Sequence, residues 1–413
     1  MDFSLLREEN LFARFITIRA FFTLGINMQG TLVAWLVYQV SKNPIHLGLI
    51  GLAEIIPFVS MLLFGGAWSD VFNRQRLMLG GIFSFFLISL GLYACASEIE
   101  SGRHLPLVWI YGLIFLTGLA RAVLSPAQNA LLGQLVPASK ITKASVWNSL
   151  IFHVGSVGGP AAGGLLYGYI GVSNSFLIVC ILILMAVLGV FRLRKVPDPP
   201  QATQREPILN RITEGIRFVW RHQILLPGML MDMVAVLFGG AIAVLPLFAD
   251  QVLHLGPEGL GWLRAAPAVG SLCMASVFTR YNPGANAGKW LLVSVAIFGL
   301  TNLIFALSES FMLSFMMLMI GGAFDNVSAI IRMSVVQIFT PDHMRGRVSA
   351  VNAIFIGSSN ELGAFESGIA ARFLGLVPSV VFGAAITFLS VGITGWKSKP
   401  IRNLNLSPNP SEV

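Results

Sequence analysis

The sequence predicts an all-α membrane protein in which twelve transmembrane helices form two pseudo-symmetric six-helix bundles. Of its 413 residues, 55% are apolar and only 11% are charged, whereas about 25% are charged in an ordinary soluble protein. Apolar stretches of membrane-spanning length recur along nearly the whole chain. The second half of the chain also repeats the residue pattern of the first, which indicates two related bundles.

Twelve apolar stretches are long enough to cross a hydrocarbon layer about 30 Å thick, which takes roughly 20 residues at 1.5 Å per residue. The first stretch is too long, and too interrupted by arginine, to be a signal peptide. The predicted spans, numbered one to twelve in chain order, cover residues 11–40, 47–68, 77–96, 107–124, 144–170, 175–190, 224–249, 260–278, 290–307, 312–331, 348–374 and 377–396.

Basic residues concentrate in alternate loops, and such residues are retained in the cytoplasm. This pattern predicts a multi-pass plasma membrane protein, of a bacterial inner membrane, with both termini cytoplasmic. The topology also explains the net charge of +8 without nucleic acid as a partner. The basic loop residues predicted to be cytoplasmic include Arg74, Arg76, Lys140, Lys143, Arg192, Arg345 and Arg347, against Lys42, Arg103 and Arg372 outside.

The sequence carries no nucleotide-binding loop, metal-ligand spacing or catalytic triad, so we expect neither an enzyme nor a cofactor. Cys95, Cys180 and Cys273 stand singly in apolar stretches, as small core residues do. The expected partners are a small-molecule substrate, protons and membrane lipids, and the expected state is a monomer.

A polar segment at residues 192–222 divides the chain. It opens with Pro197, Pro199 and Pro200, which cannot continue a helix. After Pro207, the apolar side chains through Val219 fall on one helical face, as in an interfacial helix. The predicted organisation is therefore a bundle at 1–191, a cytoplasmic linker with an amphipathic helix at 192–222, a bundle at 223–398 and a cytoplasmic tail at 399–413.

The two halves align without gaps over two long segments. An offset of 210 residues relates spans one and two to spans seven and eight, and an offset of 204 relates spans four and five to spans ten and eleven. Repeats of this kind form a substrate site at their interface in many transporters. The matched pairs include Pro57 with Pro267, Gly118 with Gly322, Asn148 with Asn352, Gly164 with Gly368, and Gly171 with Gly375.

The chain resembles the major facilitator superfamily over nearly its whole length. The loop after the second span is similar to that family's Gly-x-x-x-Asp-(Arg/Lys)-x-Gly-(Arg/Lys)-x-(Arg/Lys) motif, with Val71 in place of a basic residue and Asn73 in place of glycine. Asparagine tolerates the left-handed backbone of a tight turn. The residues that match the motif are Gly66, Asp70, Arg74 and Arg76.

In the family this aspartate interacts with the N-terminal end of the eleventh helix, where exposed amides favour a carboxylate. The resemblance therefore implies that Asp70 is a latch. Arg74 and Arg76 either hold neighbouring carbonyls or lipid phosphates or act only as topology signals.

The fifth span resembles the signature of the family's drug and proton antiporters, which favours export. Close backbone approach and a proline bend would let this helix rock against a neighbour. Val146 replaces an upstream glycine of the signature, so antiport stays open. The matching residues are Gly155, Gly159, Pro160, Gly163 and Gly164.

Residues 118–137 and 340–347 are similar to the enterobactin-exporter branch and its macrolide-efflux relatives. The resemblance implies proton-coupled secondary export of a small organic or amphiphilic molecule, drug-like or siderophore-like, by alternating access. Import or lysophospholipid flipping by the same fold is the alternative, followed by a transport-dead membrane receptor. The charges inside the bilayer disfavour the receptor.

Ionisable residues inside a membrane are costly and are functional candidates by default. Three opposite-charge pairs are predicted, each between the two halves: Arg121 with Asp325 as a gate, a proton-dependent bridge or a permanent buried bridge, Arg19 with Asp232, and Glu54 with Arg264 as an extracellular-side gate or a structural pair. The predicted proton carriers are Asp325 and Glu361, followed by Asp232 and Glu366.

Overall fold

Helices account for nearly all of the regular structure in the computed structural model, which describes residues 9–137, 140–193, 208–278, 284–341 and 344–406. The described part of the chain contains no strand. The helices that correspond to the predicted spans are Asn10–Ser41, Pro44–Val71, Arg74–Glu100, Val108–Leu135, Ile141–Phe191, Leu225–Phe238, Pro257–Phe278, Ala287–Ala306, Phe311–Phe339, Arg345–Leu374 and Leu376–Lys397.

Ten segments of the described chain are long and apolar enough to cross a membrane. One of them turns at Gly171 (φ 82°, ψ 171°), within Ile141–Phe191, and so supplies both the fifth and the sixth span. The helix Arg345–Leu374 has the length of a span, with 30 residues, but it carries Glu361 and Glu366 and is not among the ten. It occupies the place of the eleventh predicted span.

The internal repeat extends to the backbone. Gly171 separates the fifth and sixth spans, and Gly375 separates the eleventh and twelfth with φ 97° and ψ 160°. Both glycines lie in a left-handed region that other residues rarely adopt. The two positions stand at the offset of 204, so the same sharp turn recurs in each half.

The seventh span is broken, a feature that the sequence analysis did not predict. Its helix ends at Phe238, and Gly239 and Gly240 follow. The side chain of Asn302 donates a hydrogen bond to the Gly239 carbonyl at 3.4 Å, which satisfies an oxygen that the helix no longer uses. The span continues as the 3₁₀ turn Ala241–Val244, the short helix Leu245–Leu247 and the π turn Phe248–Val252.

The chain folds into two compact units. Unit one comprises Met1–Lys42, Leu52–Arg205 and His254–Ala265, and unit two comprises Asn43–Gly51, Glu206–Leu253 and Ala266–Val413. In unit one, the buried aromatic side chains of Phe12, Phe15 and Phe85 lie in the core. In unit two, the largest buried aromatic side chains are those of Phe248 and Phe305, whose rings are 4.8 Å apart.

A helix at Ile208–Arg221 precedes the seventh span, as the amphipathic pattern predicted. It packs within unit two, where Glu214 forms an ion pair with Arg347. Val219 is buried, whereas Ile216 is 44% exposed. The apolar face is therefore divided, because Val219 faces the protein core and Ile216 faces outward.

Candidate functional site

Span four contacts the second span through Gly118, and span ten contacts the eighth span through Gly322. A Cβ atom on Gly118 would lie 2.3 Å from the Glu54 carbonyl oxygen and 2.7 Å from Pro57. A Cβ atom on Gly322 would lie 2.2 Å from the carbonyl oxygen of Pro267. The glycines and prolines match at the repeat offsets, so each unit has the same close backbone contact.

The contact at Gly118 brings Glu54 of the second span beside Arg121 of the fourth. Nη1 of Arg121 lies 2.6 Å from Oε1 of Glu54, and the guanidinium carbon lies 5.0 Å from the centre of the Phe58 ring. The sequence predicted Asp325 as the partner of Arg121 and Arg264 as the partner of Glu54. In the structure these two residues contact each other, because Gly118 lets the helices that carry them approach closely.

A second polar pair in unit one joins the first and fourth spans. Nη1 of Arg19 donates a hydrogen bond to Oε1 of Gln128. Nε of Arg19 and Nε2 of Gln128 are buried without a hydrogen-bond partner in the part of the chain that the structure describes. Asp232 was the predicted partner of Arg19, and Gln128 takes that place because it faces Arg19 from the adjacent helix.

The corresponding helices of unit two hold an acidic cluster, formed by Asp232, Asp325 and Arg332. Arg332 of the tenth span donates to Oδ2 of Asp232 on the seventh span, and their side chains are only 11% and 7% exposed. Asp325 lies two helical turns before Arg332 on the same helix face. It is within electrostatic range of both Arg332 and Asp232. The cluster thus contains two carboxylates and one guanidinium.

The polar positions of spans four and ten coincide under the repeat. Arg121 matches Asp325, and Gln128 matches Arg332, both at the offset of 204. Sequence reasoning singled out Arg121 and Asp325 but missed Gln128. Its signal was available, because Gln128 is a polar residue in an apolar helix at the counterpart of a charged one.

Arg264, Glu361 and Glu366 do not lie on the two helices that form the acidic cluster. Nη1 of Arg264 donates to the carbonyl oxygen of Gly30 at 2.9 Å, within unit one. Glu361 and Glu366 belong to Arg345–Leu374, whereas the seventh and tenth spans form the acidic cluster. Glu361 contributes its backbone to a helix contact, since a Cβ atom on Gly51 would lie 2.6 Å from its carbonyl oxygen.

The glycine motif of the fifth span packs against the first span. Cβ atoms on Gly155 and Gly159 would lie 2.6 Å from side-chain carbons of Thr23 and Asn27, respectively. Gly163 continues the same face one turn later, towards Met28 at 3.2 Å. Three glycines at intervals of four residues therefore allow the two helices to contact each other over several turns.

The last glycine of the motif faces a different neighbour. A Cβ atom on Gly164 would lie 2.3 Å from the Pro257 carbonyl oxygen, and one on Gly261 would lie 2.7 Å from the carbonyl oxygen of Pro160. In unit two, a Cβ atom on Gly368 would lie 2.8 Å from the carbonyl oxygen of Pro44. The fifth and eleventh spans thus make equivalent backbone contacts, with the eighth and second spans respectively.

The loop motif is partly described. Asn73 has φ −60° and ψ 117°, and its side chain accepts a hydrogen bond from the backbone N–H of Arg76 at 3.1 Å. The backbone of Asn73 is therefore not in the left-handed conformation that asparagine tolerates. Asn73 replaces glycine as the N-cap of Arg74–Glu100, which satisfies an amide that has no partner inside the helix.

The basic residues of the motif differ in their contacts. Nη1 of Arg74 donates to the carbonyl oxygen of Ala130 at 3.2 Å. Of the two roles expected for this residue, the contact is the one in which it holds a neighbouring carbonyl. Arg76 is exposed. The surroundings of Gly66 and of the Asp70 side chain lie outside the described parts of the structure, so the latch at Asp70 stays a prediction.

We expect Asn73→Ala to destabilise the start of the third span by about 1 kcal/mol, because the cap of the Arg76 amide is removed. Asn73→Asp retains a capping oxygen and should keep most of the stability. The measurement is the thermal unfolding midpoint of the detergent-purified protein, by intrinsic fluorescence. Equal midpoints for Asn73→Ala and the wild type would contradict the capping role.

The repeated helical architecture, with ion pairs inside apolar helices, is that of a multi-pass membrane transporter of the major facilitator class. The chain belongs to the family described as transmembrane secretion effector, whose model matches residues 2–409. This match confirms the resemblance on which the sequence analysis relied.

Similar proteins span the whole chain. The multidrug efflux pump Tap of Mycolicibacterium fortuitum is 26% identical over 404 residues, covering 94% of this chain and 96% of Tap. The enterobactin exporter EntS of Shigella flexneri is 23% identical, covering 97% and 96% respectively. A bacterial homolog of the human lysosomal transporter Spinster, in an inward-facing unoccupied conformation, has the same fold with a TM-score of 0.75. It is 14% identical, over 97% of this chain and 98% of that one.

Proposed function

We propose that this protein exports a small organic or amphiphilic molecule from the cytoplasm and that proton entry drives the export. The observation that carries the proposal is the acidic cluster, in which Arg332 is paired with Asp232 and lies within electrostatic range of Asp325. An uncompensated carboxylate inside a membrane is costly. The cluster therefore favours one additional positive charge, and a proton is the smallest that can enter a packed helix interface.

The direction of transport rests on the relatives. Tap is named a multidrug efflux pump and EntS an enterobactin exporter, and both match this chain along nearly its full length. The basic loops support an orientation with both termini in the cytoplasm, in a bacterial inner membrane. In this orientation, an exporter loads its substrate from the side that holds the termini.

Alternating access would use the glycine contacts. In the proposed cycle, the fifth span moves against the eighth at Gly164 and Gly261, and the eleventh moves against the second at Gly368, where a Cβ atom would lie 2.9 Å from the Cα of Gly48. Contacts made by backbone atoms and glycines can open and close without leaving large side chains in the gap. Protonation of Asp232, with Asp325 left to balance Arg332, would break the bond between the seventh and tenth spans and so loosen them from each other.

Inverted membrane vesicles test this proposal, with ethidium and enterobactin as separate probes. An interior that is acidic by one pH unit supports about tenfold accumulation for each proton exchanged. We expect accumulation of at least one probe in vesicles that contain the protein, and its disappearance when a protonophore is added. Control vesicles carry the same membranes without the protein.

Accumulation that persists after the protonophore has collapsed the gradient would exclude proton coupling. Accumulation driven instead by a gradient of sodium ions would retain export but assign the acidic cluster to another cation. Accumulation in right-side-out vesicles, with none in inverted ones, would reverse the proposed direction.

A further inference from the structure

Two grooves on the apolar surface of the helices are related by the internal repeat. The first, which we name the 7/12 groove, lies between the seventh and twelfth spans in unit two and has a volume of about 680 Å³. The second, the 1/6 groove, lies between the first and sixth spans in unit one and has a volume of about 780 Å³. Both volumes fall within the roughly 300–1,000 Å³ of ligand pockets.

The walls of both grooves are apolar and exposed on helices of membrane-spanning length. In the 7/12 groove, Leu389 is 62% and Ile393 is 46% exposed. In the 1/6 groove, Met185 and Leu188 are 44% and 49% exposed. Met185 is the repeat counterpart of Leu389 at the offset of 204. In a membrane, such surfaces are covered by lipid chains.

Each groove ends in a basic mouth. Lys397 lies at the mouth of the 7/12 groove, with Gln223 and Ser398 beside it. Arg14 and Arg192 lie at the mouth of the 1/6 groove, where Nη1 of Arg14 donates to the Arg192 carbonyl oxygen at 3.0 Å. No acidic residue lines either groove within the described chain. The structure shows no ion pair for these three cations over its described ranges.

The dimensions of the 7/12 groove match one leaflet of a membrane. From Ile386 to Lys397 the twelfth span rises through eleven residues, or about 16 Å. Half of a hydrocarbon core about 30 Å thick is about 15 Å. A phospholipid whose acyl chain lies along the groove, with the end of the chain near Ile386 at the middle of the membrane, would thus place its headgroup at Lys397.

We propose that each groove binds one anionic phospholipid, with an acyl chain along the apolar wall and the phosphate at the basic mouth. The charge at the mouth is complementary to a phosphate, and basic pockets between transmembrane helices bind anionic headgroups. Arginine forks suit phosphate oxygens, so Arg14 and Arg192 hold the headgroup in the 1/6 groove. The two sites are separate from the acidic cluster, and their test does not depend on export.

Native mass spectrometry of the full-length protein in a neutral detergent tests the proposal. The probes are dioleoyl phosphatidylglycerol, which is anionic, and dioleoyl phosphatidylcholine, which is zwitterionic with the same chains. We expect the wild type to bind two phosphatidylglycerol molecules before further, weaker ones. Phosphatidylcholine should bind about fivefold more weakly at the 7/12 groove, with its one cation, and about twenty-fivefold more weakly at the 1/6 groove, with two, because its headgroup carries no net charge to attract the basic mouth.

Charge removal separates the two sites. Lys397→Gln should weaken one of the two tight phosphatidylglycerol sites about fivefold, and Arg14→Gln combined with Arg192→Gln should weaken the other about twenty-fivefold, because each basic residue contributes about fivefold. The matched control is Lys289→Gln, which removes an exposed cation from a helix end that lines neither groove and should leave two tight lipids bound. Equal binding by Lys397→Gln and the control, or equal wild-type affinity for both lipids, would overturn the proposal.

A second variant tests the groove itself without changing charge. Ser390 lines the 7/12 groove, and Ser390→Phe would fill it. We expect this variant to lose one tight phosphatidylglycerol while its unfolding midpoint in detergent stays near that of the wild type. Retention of both lipids by Ser390→Phe, or competition by inorganic phosphate alone with no dependence on the acyl chain, would refute lipid binding in the groove.

Discussion

Asp325→Asn should reduce proton-driven accumulation in inverted vesicles to the level of vesicles that lack the protein. The substitution removes the second carboxylate, so Asp232 and Arg332 are left as a neutral pair with no excess charge for a proton to balance. Asp232→Asn should have the same effect, because Asp325 is then left to balance Arg332 one to one. The measurement is the accumulation of ethidium or enterobactin under an imposed pH gradient.

Exchange of labelled for unlabelled substrate, without any gradient, distinguishes coupling from folding. We expect both variants to retain this exchange, since the helices and their glycine contacts are unchanged. The control is Glu98→Gln, which removes an exposed acid paired with Arg103 and should behave as the wild type. Gradient-driven accumulation at the wild-type rate in both aspartate variants would remove the acidic cluster from the mechanism.

Gly118→Ala and Gly322→Ala should each destabilise the protein strongly, because the new methyl group would meet a backbone oxygen at 2.3 Å and 2.2 Å, respectively. Neither oxygen belongs to a flexible side chain, so a helix must shift. Overpacking of this kind costs about 1–3 kcal/mol. Purified yield and the thermal unfolding midpoint in detergent measure the effect. Gly118→Ala should also disturb the ion pair between Arg121 and Glu54.

Gly133→Ala is the matched control, because it lies in the same helix as Gly118 and a Cβ atom there would meet nothing within 4 Å. Alanine is the better helix former, so this variant should be as stable as the wild type or slightly more so. Midpoints for Gly118→Ala and Gly322→Ala that equal the Gly133→Ala midpoint would show that the spans have room to separate.

The sequence was informative about features that local composition controls. Apolar length predicted the ten segments that are long and apolar enough to cross a membrane, and the matching of Gly171 with Gly375 marked two turns whose left-handed backbone the structure contains. The break in the seventh span does not follow from local composition. Gly80 and Gly81 stay helical within Arg74–Glu100, so a glycine pair alone does not predict the break after Phe238.

For the charged residues, the sequence predicted the positions but not the partners. Position within an apolar stretch was enough to mark Asp232, Asp325 and Arg121 as candidates, because a buried charge is costly wherever the helix packs. Their partners depend on which helices lie side by side and on how each helix is rotated about its axis. The repeat offset relates equivalent positions of the two halves, which is a different relation from contact.

The sequence by itself thus determined the class of protein, the apolar helices, the internal repeat and which charged residues lie within those helices. Only the tertiary structure decided that Arg121 pairs with Glu54, that Arg332 joins Asp232 and that Gln128 binds Arg19. The physical reason is that hydrophobic length and backbone preference are properties of one segment, whereas an ion pair needs two segments brought within about 4 Å.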